Sequence, residues 1–205
     1  MAYNKFKRLE QLRDELGILD IMKSWVHNVP TLSTISIFLE EALQGAEQEA
    51  LTTEKAKSEY IVVPILKELK RKNPQSFSTF SGFEFNVDKE LKLTGYCDFM
   101  LSAETHRAEI SAPIFCLIEA KDGEIDKGYA QCGAEMYAAH LYNERKGRPQ
   151  KVMYGCVTNA FSWCFLKLEN KNLYIDTNYV PLTFAEPHRV LAVLQWVLDK
   201  ALANE

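Results

Sequence analysis

Glu119 and Lys121 close a run that is otherwise apolar, Ile114-Phe115-Cys116-Leu117-Ile118-Glu119-Ala120-Lys121, and Asp98 interrupts a second such run, Tyr96-Cys97-Asp98-Phe99-Met100-Leu101. Side chains alternate across a strand, so Glu119 and Lys121 share one face while Ile118 and Ala120 share the other. An unpaired carboxylate inside an apolar strand is costly. If the two strands are neighbours joined through residues 102–113, Asp98 sits beside Glu119. Buried carboxylates that close repel each other, and are tolerated when one holds a proton or a cation lies between them. Ligands that are all oxygen select a hard ion such as Mg²⁺ or Mn²⁺, and the backbone carbonyl of Ala120 offers a further oxygen. An ion held there polarises a phosphoryl oxygen and lowers the pKa of a bound water. Lys121 is placed to orient that water or to stabilise charge building on the phosphate. The residues thus form a compact set for metal-assisted phosphodiester hydrolysis. Glu-x-Lys alone is common and reads as a strand-end salt bridge. What singles this one out is its context: both acids lie on apolar strands and a long helix follows at once.

Positioning these side chains needs a sheet and at least one helix. Residues 126–146 have the spacing of a long amphipathic helix, with Tyr129, Cys132, Met136, Ala139 and Tyr142 facing inward. Upstream, a helix starts at Thr52 or Thr53 and runs to about Lys72 on a stripe of Ile61, Val62, Ile65, Leu66 and Leu69; Pro64 kinks it or ends its first part. Strands are expected over 80–88, 93–102 and 113–121, with a turn near 88–92, and after the long helix over 151–159, 162–169 and 172–177. A closing helix spans 185–202, with Pro187 near its first turn. Helical spacing also marks 4–16 and 33–50, joined by a loop in which Ser33 or Thr34 is the candidate N-cap. This order predicts an α/β fold, a mixed central sheet flanked by helices on both sides, in a single domain over 1–205: a helical N-terminal segment to residue 50, then the core and closing helix over 51–205.

Composition narrows the class further. No apolar run reaches the ~20 residues of a membrane helix and the start MAYNKFKRLE has no hydrophobic signal region, so the expected location is the cytoplasm, with no membrane partner. Five cysteines without a CxxC pair, mostly within apolar runs, are expected as buried free thiols. A net charge of −4 excludes a protein held to nucleic acid by bulk electrostatics alone. Local basic runs at 66–72 and 144–151 are candidate contacts, although each also reads as a solvated helix end. His106, His140 and His188 form no spacing of a ligand set.

The order of helix, strand, strand with Asp98, strand with Glu119-Ala120-Lys121, helix and strand resembles the PD-(D/E)xK nuclease superfamily over about residues 52–160. The stretches TEKAKSEYIVVPILKEL, FSGFEFNVDKELKLTGYCDFML and EAKDGEIDKGYAQCGAEMYAAHLYNER are similar to an uncharacterised bacterial family, frequent in cyanobacteria, usually placed in that superfamily. The resemblance implies a restriction-endonuclease-like sheet, Mg²⁺ or Mn²⁺ as cofactor, nucleic acid and foremost DNA as substrate, and Asp98, Glu119 and Lys121 as site residues. A one-site enzyme that cuts both strands would favour a homodimer. Cys97 replaces the proline of the motif, and Glu135 stands where a Q-x-x-x-Y helix motif would place tyrosine. Gln131 is a candidate substrate or water contact from the first turns of the helix, against the alternative of an exposed amide; Tyr129 and Glu135 read as packing and surface residues.

In this superfamily the helix before the sheet often supplies a further glutamate. Glu54 and Glu59 both border the apolar stripe, and Glu59, a turn further from the fraying end, is the one expected at the site. Three functions compete: a metal-dependent DNA nuclease, a binding module that holds nucleic acid or protein on the same fold without turnover, and a protein in which the charges form only a buried ion-pair network. Metal-dependent stabilisation separates the last from the other two.

Overall fold

The computed structural model describes residues 3–32 and 34–204. Its frame is a mixed sheet of eight strands. The strands are β1 (Leu19–Met22), β2 (Ser78–Glu84), β3 (Tyr96–Ser102), β4 (Ile114–Ala120), β5 (Met153–Thr158), β6 (Ser162–Glu169), β7 (Asn172–Ile175) and β8 (Val180–Pro181). They run in the order β1-β7-β6-β5-β4-β3-β2, with β8 paired to β6. β2, β3 and β4 form an antiparallel meander, whereas β4 and β5 are parallel and therefore need a crossover. That crossover is the helix α5 (Tyr129–Arg145), entered through a 3₁₀ turn, Ile125–Gly128.

Helices cover both faces, as expected. Glu54–Lys72 forms one continuous helical stretch: α3 (Glu54–Lys57), a wide π turn (Ser58–Val62) and α4 (Val63–Lys72). Thr53 caps it, its hydroxyl accepting from Ala56 N–H at 3.1 Å. Pro64 has no N–H for the Tyr60 carbonyl and its ring crowds that group, and the widened turn just before it absorbs the conflict. With α2 (Ile37–Ala46) and the closing helix α6 (His188–Ala203), α4 packs its apolar stripe on one sheet face, against Phe99, Phe115, Ile118 and Phe165. On the other face α1 (Leu9–Leu16) and α5 enclose Met100, Leu117, Val157 and Leu173. Both faces of the central strands are therefore dry, and β4 is buried at every residue.

The N-terminal segment differs from its sequence reading. It is not wholly helical, because β1 joins the sheet edge parallel to β7. Four residues of mixed exposure carry too little alternation to mark a strand in the sequence. The second helix starts later than expected: Ser36 is the N-cap, accepting from Leu39 N–H, so Thr34 does not cap, and Ser33 lies outside the described residues.

Candidate functional site

The ladder of β3 and β4 pairs Met100 with Leu117 and Phe99 with Ile118, so the next step places Asp98 opposite Glu119. There the ladder gives way to a side chain. The Asp98 carboxylate, through Oδ2, accepts the Ala120 N–H at 2.8 Å, taking a backbone donor that a strand partner would otherwise satisfy. Glu119 shares its face with Leu117, beneath α5, and is almost wholly buried. Its Oε1 accepts from the Lys121 ammonium, while its Oε2 is buried without a partner.

Gln131 and Glu135 continue this contact from α5. Lys121 Nζ also donates to Gln131 Oε1 at 3.2 Å, and Gln131 Nε2 donates to Glu135 Oε1 at 3.1 Å. The second oxygen of Glu135 is, like that of Glu119, buried and unpartnered. The reading of Glu135 as a packing or surface residue is therefore corrected: it is fully buried and belongs to the site. α5 comes this close because it enters at glycine: a Cβ on Gly128 would lie 2.5 Å from Val157 Cγ1 and 3.2 Å from Lys121 Cγ. Its far end is pinned by Asn143, whose side chain accepts from Ile114 N–H at 2.8 Å and donates to Ile114 O at 2.6 Å.

Electrostatics follow from burial. Desolvation, then the neighbouring Asp98 charge, pushes the Glu119 carboxyl up to about 8. Burial raises Asp98 too, against the Ala120 hydrogen bond and Lys121, which favour its anion. Burial, with the Glu119 charge behind it, holds Glu135 well above the usual carboxylate range. For Lys121, burial favours the neutral amine, but the charge and hydrogen bond of Glu119 outweigh it and keep the ammonium form. The site is thus one retained cation among acids that resist ionising together.

Of the two helix acids it is Glu54, not the expected Glu59, that lies near Asp98 and Lys121. Glu59 is exposed and pairs with Lys55 at 3.8 Å. Glu54 stands at the rim, where its carboxyl is raised by partial burial, is drawn down by Lys121 and feels the Asp98 charge. The nearby Asp122 backbone N–H favours the Glu54 anion. Lys57 anchors the same turn by donating to the Asp122 carboxylate at 2.8 Å and to its carbonyl at 2.6 Å. Cys97 and Cys132 are core residues, and all five cysteines are buried free thiols.

Much of the two basic runs is committed elsewhere. Arg71 and Lys72 flank Glu68, Lys70 donates to the Phe77 carbonyl, Arg145 holds Asp88 at 2.6 Å and Arg148 reaches Glu104 at 3.3 Å. Among the described residues no cluster of three or more His, Cys, Asp and Glu side chains is arranged to hold a metal ion, and no helix is long and apolar enough to cross a membrane. Comparison of the chain with protein-family models, curated proteins and solved structures finds no match.

Proposed function

We propose that the protein is a metal-dependent nuclease that hydrolyses phosphodiester bonds of nucleic acid, with DNA as substrate and Mg²⁺ or Mn²⁺ as cofactor. The observation that carries this reading is the meeting of Asp98, Glu119 and Lys121 where β3 and β4 part, with a buried Glu119 oxygen left open. The chain order α4-β2-β3-β4-α5-β5, with two antiparallel pairings followed by one parallel pairing, supports a restriction-endonuclease-like arrangement of the sheet.

The donor set fits the ion. Mg²⁺ is commonly held by one or two carboxylates and keeps waters and substrate phosphate in its remaining positions, so a cage of three acids is not required. Asp98 and Glu119 would hold it, with the Ala120 carbonyl as third oxygen and Glu54 at the rim. Bound there, the ion supplies Lewis-acid activation of the phosphate and an acidified water. The protein's own contribution is Lys121: its ammonium is kept charged by Glu119 and steadied by Gln131, ready to orient water or to meet charge developing on the phosphate. α5 and the flanking cores keep bulk water from the inner side of the site.

The test is a cleavage panel of linear, circular and single-stranded DNA, and RNA, with Mg²⁺ and Mn²⁺. Lys121→Ala should lower turnover by about 10²–10⁴-fold while metal-linked thermal stabilisation persists. Stabilisation by metal and binding of DNA without cleavage would replace the nuclease with a binding module. Neither cleavage nor metal linkage would leave a buried ion-pair network.

A further inference from the structure

A cleft of about 450 Å³ opens beside the candidate site, lined by Asn4, Phe6, Lys7, Lys121, Lys127 and Gln131. It holds three lysines and no acid, in a chain whose net charge is −4. Two of these cations are answered where they stand: Lys121 by Glu119, and Lys127 by Glu124 at 2.8 Å. Among the described residues Lys7 has no acidic partner, and it is exposed.

Lys7 is nevertheless on a firm support. Tyr3, fully buried, donates its N–H to Thr94 O and its hydroxyl to Phe85 O, each at 2.9 Å. Phe6 is buried against the α5 face of the core. The Gln11 carboxamide then accepts the Lys7 N–H at 2.8 Å and the Arg8 N–H at 3.0 Å. The backbone that carries Lys7 is thus tied on both sides of the cleft wall, so its charge is offered from a fixed stem.

From this geometry we infer that the N-terminal turn, Asn4 to Lys7, is part of the substrate site, and that Lys7 binds a DNA backbone phosphate next to the one at Lys121. The inference rests on the nuclease reading, since it takes its ligand from that reaction. In an acidic protein the cleft gathers cations beside the candidate site, whereas Arg71, Lys72, Arg145 and Arg148 of the basic runs at 66–72 and 144–151 are each paired with an acid away from it. A strand entering between Lys7 and Lys127 reaches Lys121 and Gln131 directly, with Asn4 as a neutral donor on the same wall.

The experiment measures binding of a short fluorescein-labelled DNA, as single strand and as duplex, in EDTA over a series of salt concentrations. The proteins are the parent, Lys7→Ala, Lys7→Glu and Lys23→Glu. Lys23 is exposed and follows β1 at the far side of the sheet, so its reversal changes net charge as Lys7→Glu does without touching the cleft. Lys7→Ala should weaken binding about five- to tenfold near 0.1 M salt and reduce the slope of log K against log salt by about 0.9, the signature of one lost phosphate contact. Lys7→Glu should weaken it more, and Lys23→Glu should bind as the parent does. Metal-linked stabilisation, unchanged in the Lys7 variants, reports that the fold and the acids are intact. DNA binding by the parent that the Lys7 variants match overturns the inference alone. Equal losses in Lys7→Glu and Lys23→Glu also overturn it, by showing only net charge. A parent that binds neither form of DNA overturns this inference, while the nuclease reading stands or falls separately on the cleavage panel with Mg²⁺ and Mn²⁺.

Discussion

Asp176 and Glu68 are as deeply buried as Glu119 and Glu135, but the two pairs are treated differently by their surroundings. Asp176 Oδ2 accepts the N–H groups of Trp25 and Val26 at 2.9 and 2.7 Å, and Oδ1 accepts that of Asn178 at 2.7 Å. Glu68 takes both the N–H and the hydroxyl of Ser36, at 3.0 and 2.5 Å. Each of these acids ties a loop to the core, and each oxygen is used. Glu119 and Glu135 instead leave one oxygen apiece buried and unanswered, on the same face, near each other's charge. An acid that serves the fold is saturated with donors; one kept unsaturated costs stability and retains the capacity to bind something else.

The comparison breaks most sharply at Asp176. Asp176→Ala strands three backbone donors and should cost about 3–5 kcal/mol in urea unfolding, with metal response retained. Next in size is the response to metal itself. Mg²⁺ at about a hundredfold over its Kd should stabilise the parent by about 2.7 kcal/mol, and Asp98→Ala or Glu119→Ala should abolish that gain in a thermal-shift titration.

A smaller effect, of opposite sign to Asp176→Ala, is expected at Glu135. Glutamate ordinarily ionises near 4.5, whereas in the folded, metal-free protein Glu119 does so only at about 8 and Glu135 well above its usual value. The unfolded chain therefore releases these protons first, so the contribution of these two acids to metal-free stability is greatest at low pH and falls as pH climbs above about 4.5. The share from Glu119 levels off near pH 8. Glu135→Gln keeps an acceptor for Gln131 and has no proton to lose, so it should gain about 2 kcal/mol at pH 8 and shed part of the slope. A variant with the parent's slope would show that Glu135 is ionised in the fold. Smallest of all, Glu59→Gln should change stability by less than about 0.5 kcal/mol and leave metal affinity alone, while Glu54→Gln should weaken it several-fold.

Asp98, Glu119 and Lys121 were legible because a strand has a strict period of two, and charges that interrupt an apolar strand have nowhere to hide. The mixed sheet with helices on both faces was legible for the same reason, from the order of periodic segments. Glu135 was not. α5 is buried over nearly all of Tyr129–Ala139, so the chain offers no polar face against which a buried glutamate stands out. The available signal was its i,i+4 spacing from Gln131. The sequence favours Glu59 over Glu54 because it lies a turn further from the fraying end, but that end does not fray freely: Thr53 caps it and Lys57 ties it to Asp122. β1 was missed because an edge strand of four residues takes its identity from β7 rather than from its own pattern.

The place of β4 in the sheet also sets how long the site lasts. With β3 and β5 on its edges and helices on both faces, β4 has no route to solvent short of dismantling the core, and the Lys121 N–H is itself held by Thr158 O at 2.8 Å. Amide hydrogen exchange along Cys116–Lys121 should therefore report the global unfolding free energy, while the Glu54 turn and the Asn4–Lys7 wall exchange through cheaper local openings. Asp98, Glu119 and Lys121 then keep their relative positions for the lifetime of the native state, and whatever must move to admit a substrate is drawn from the rim.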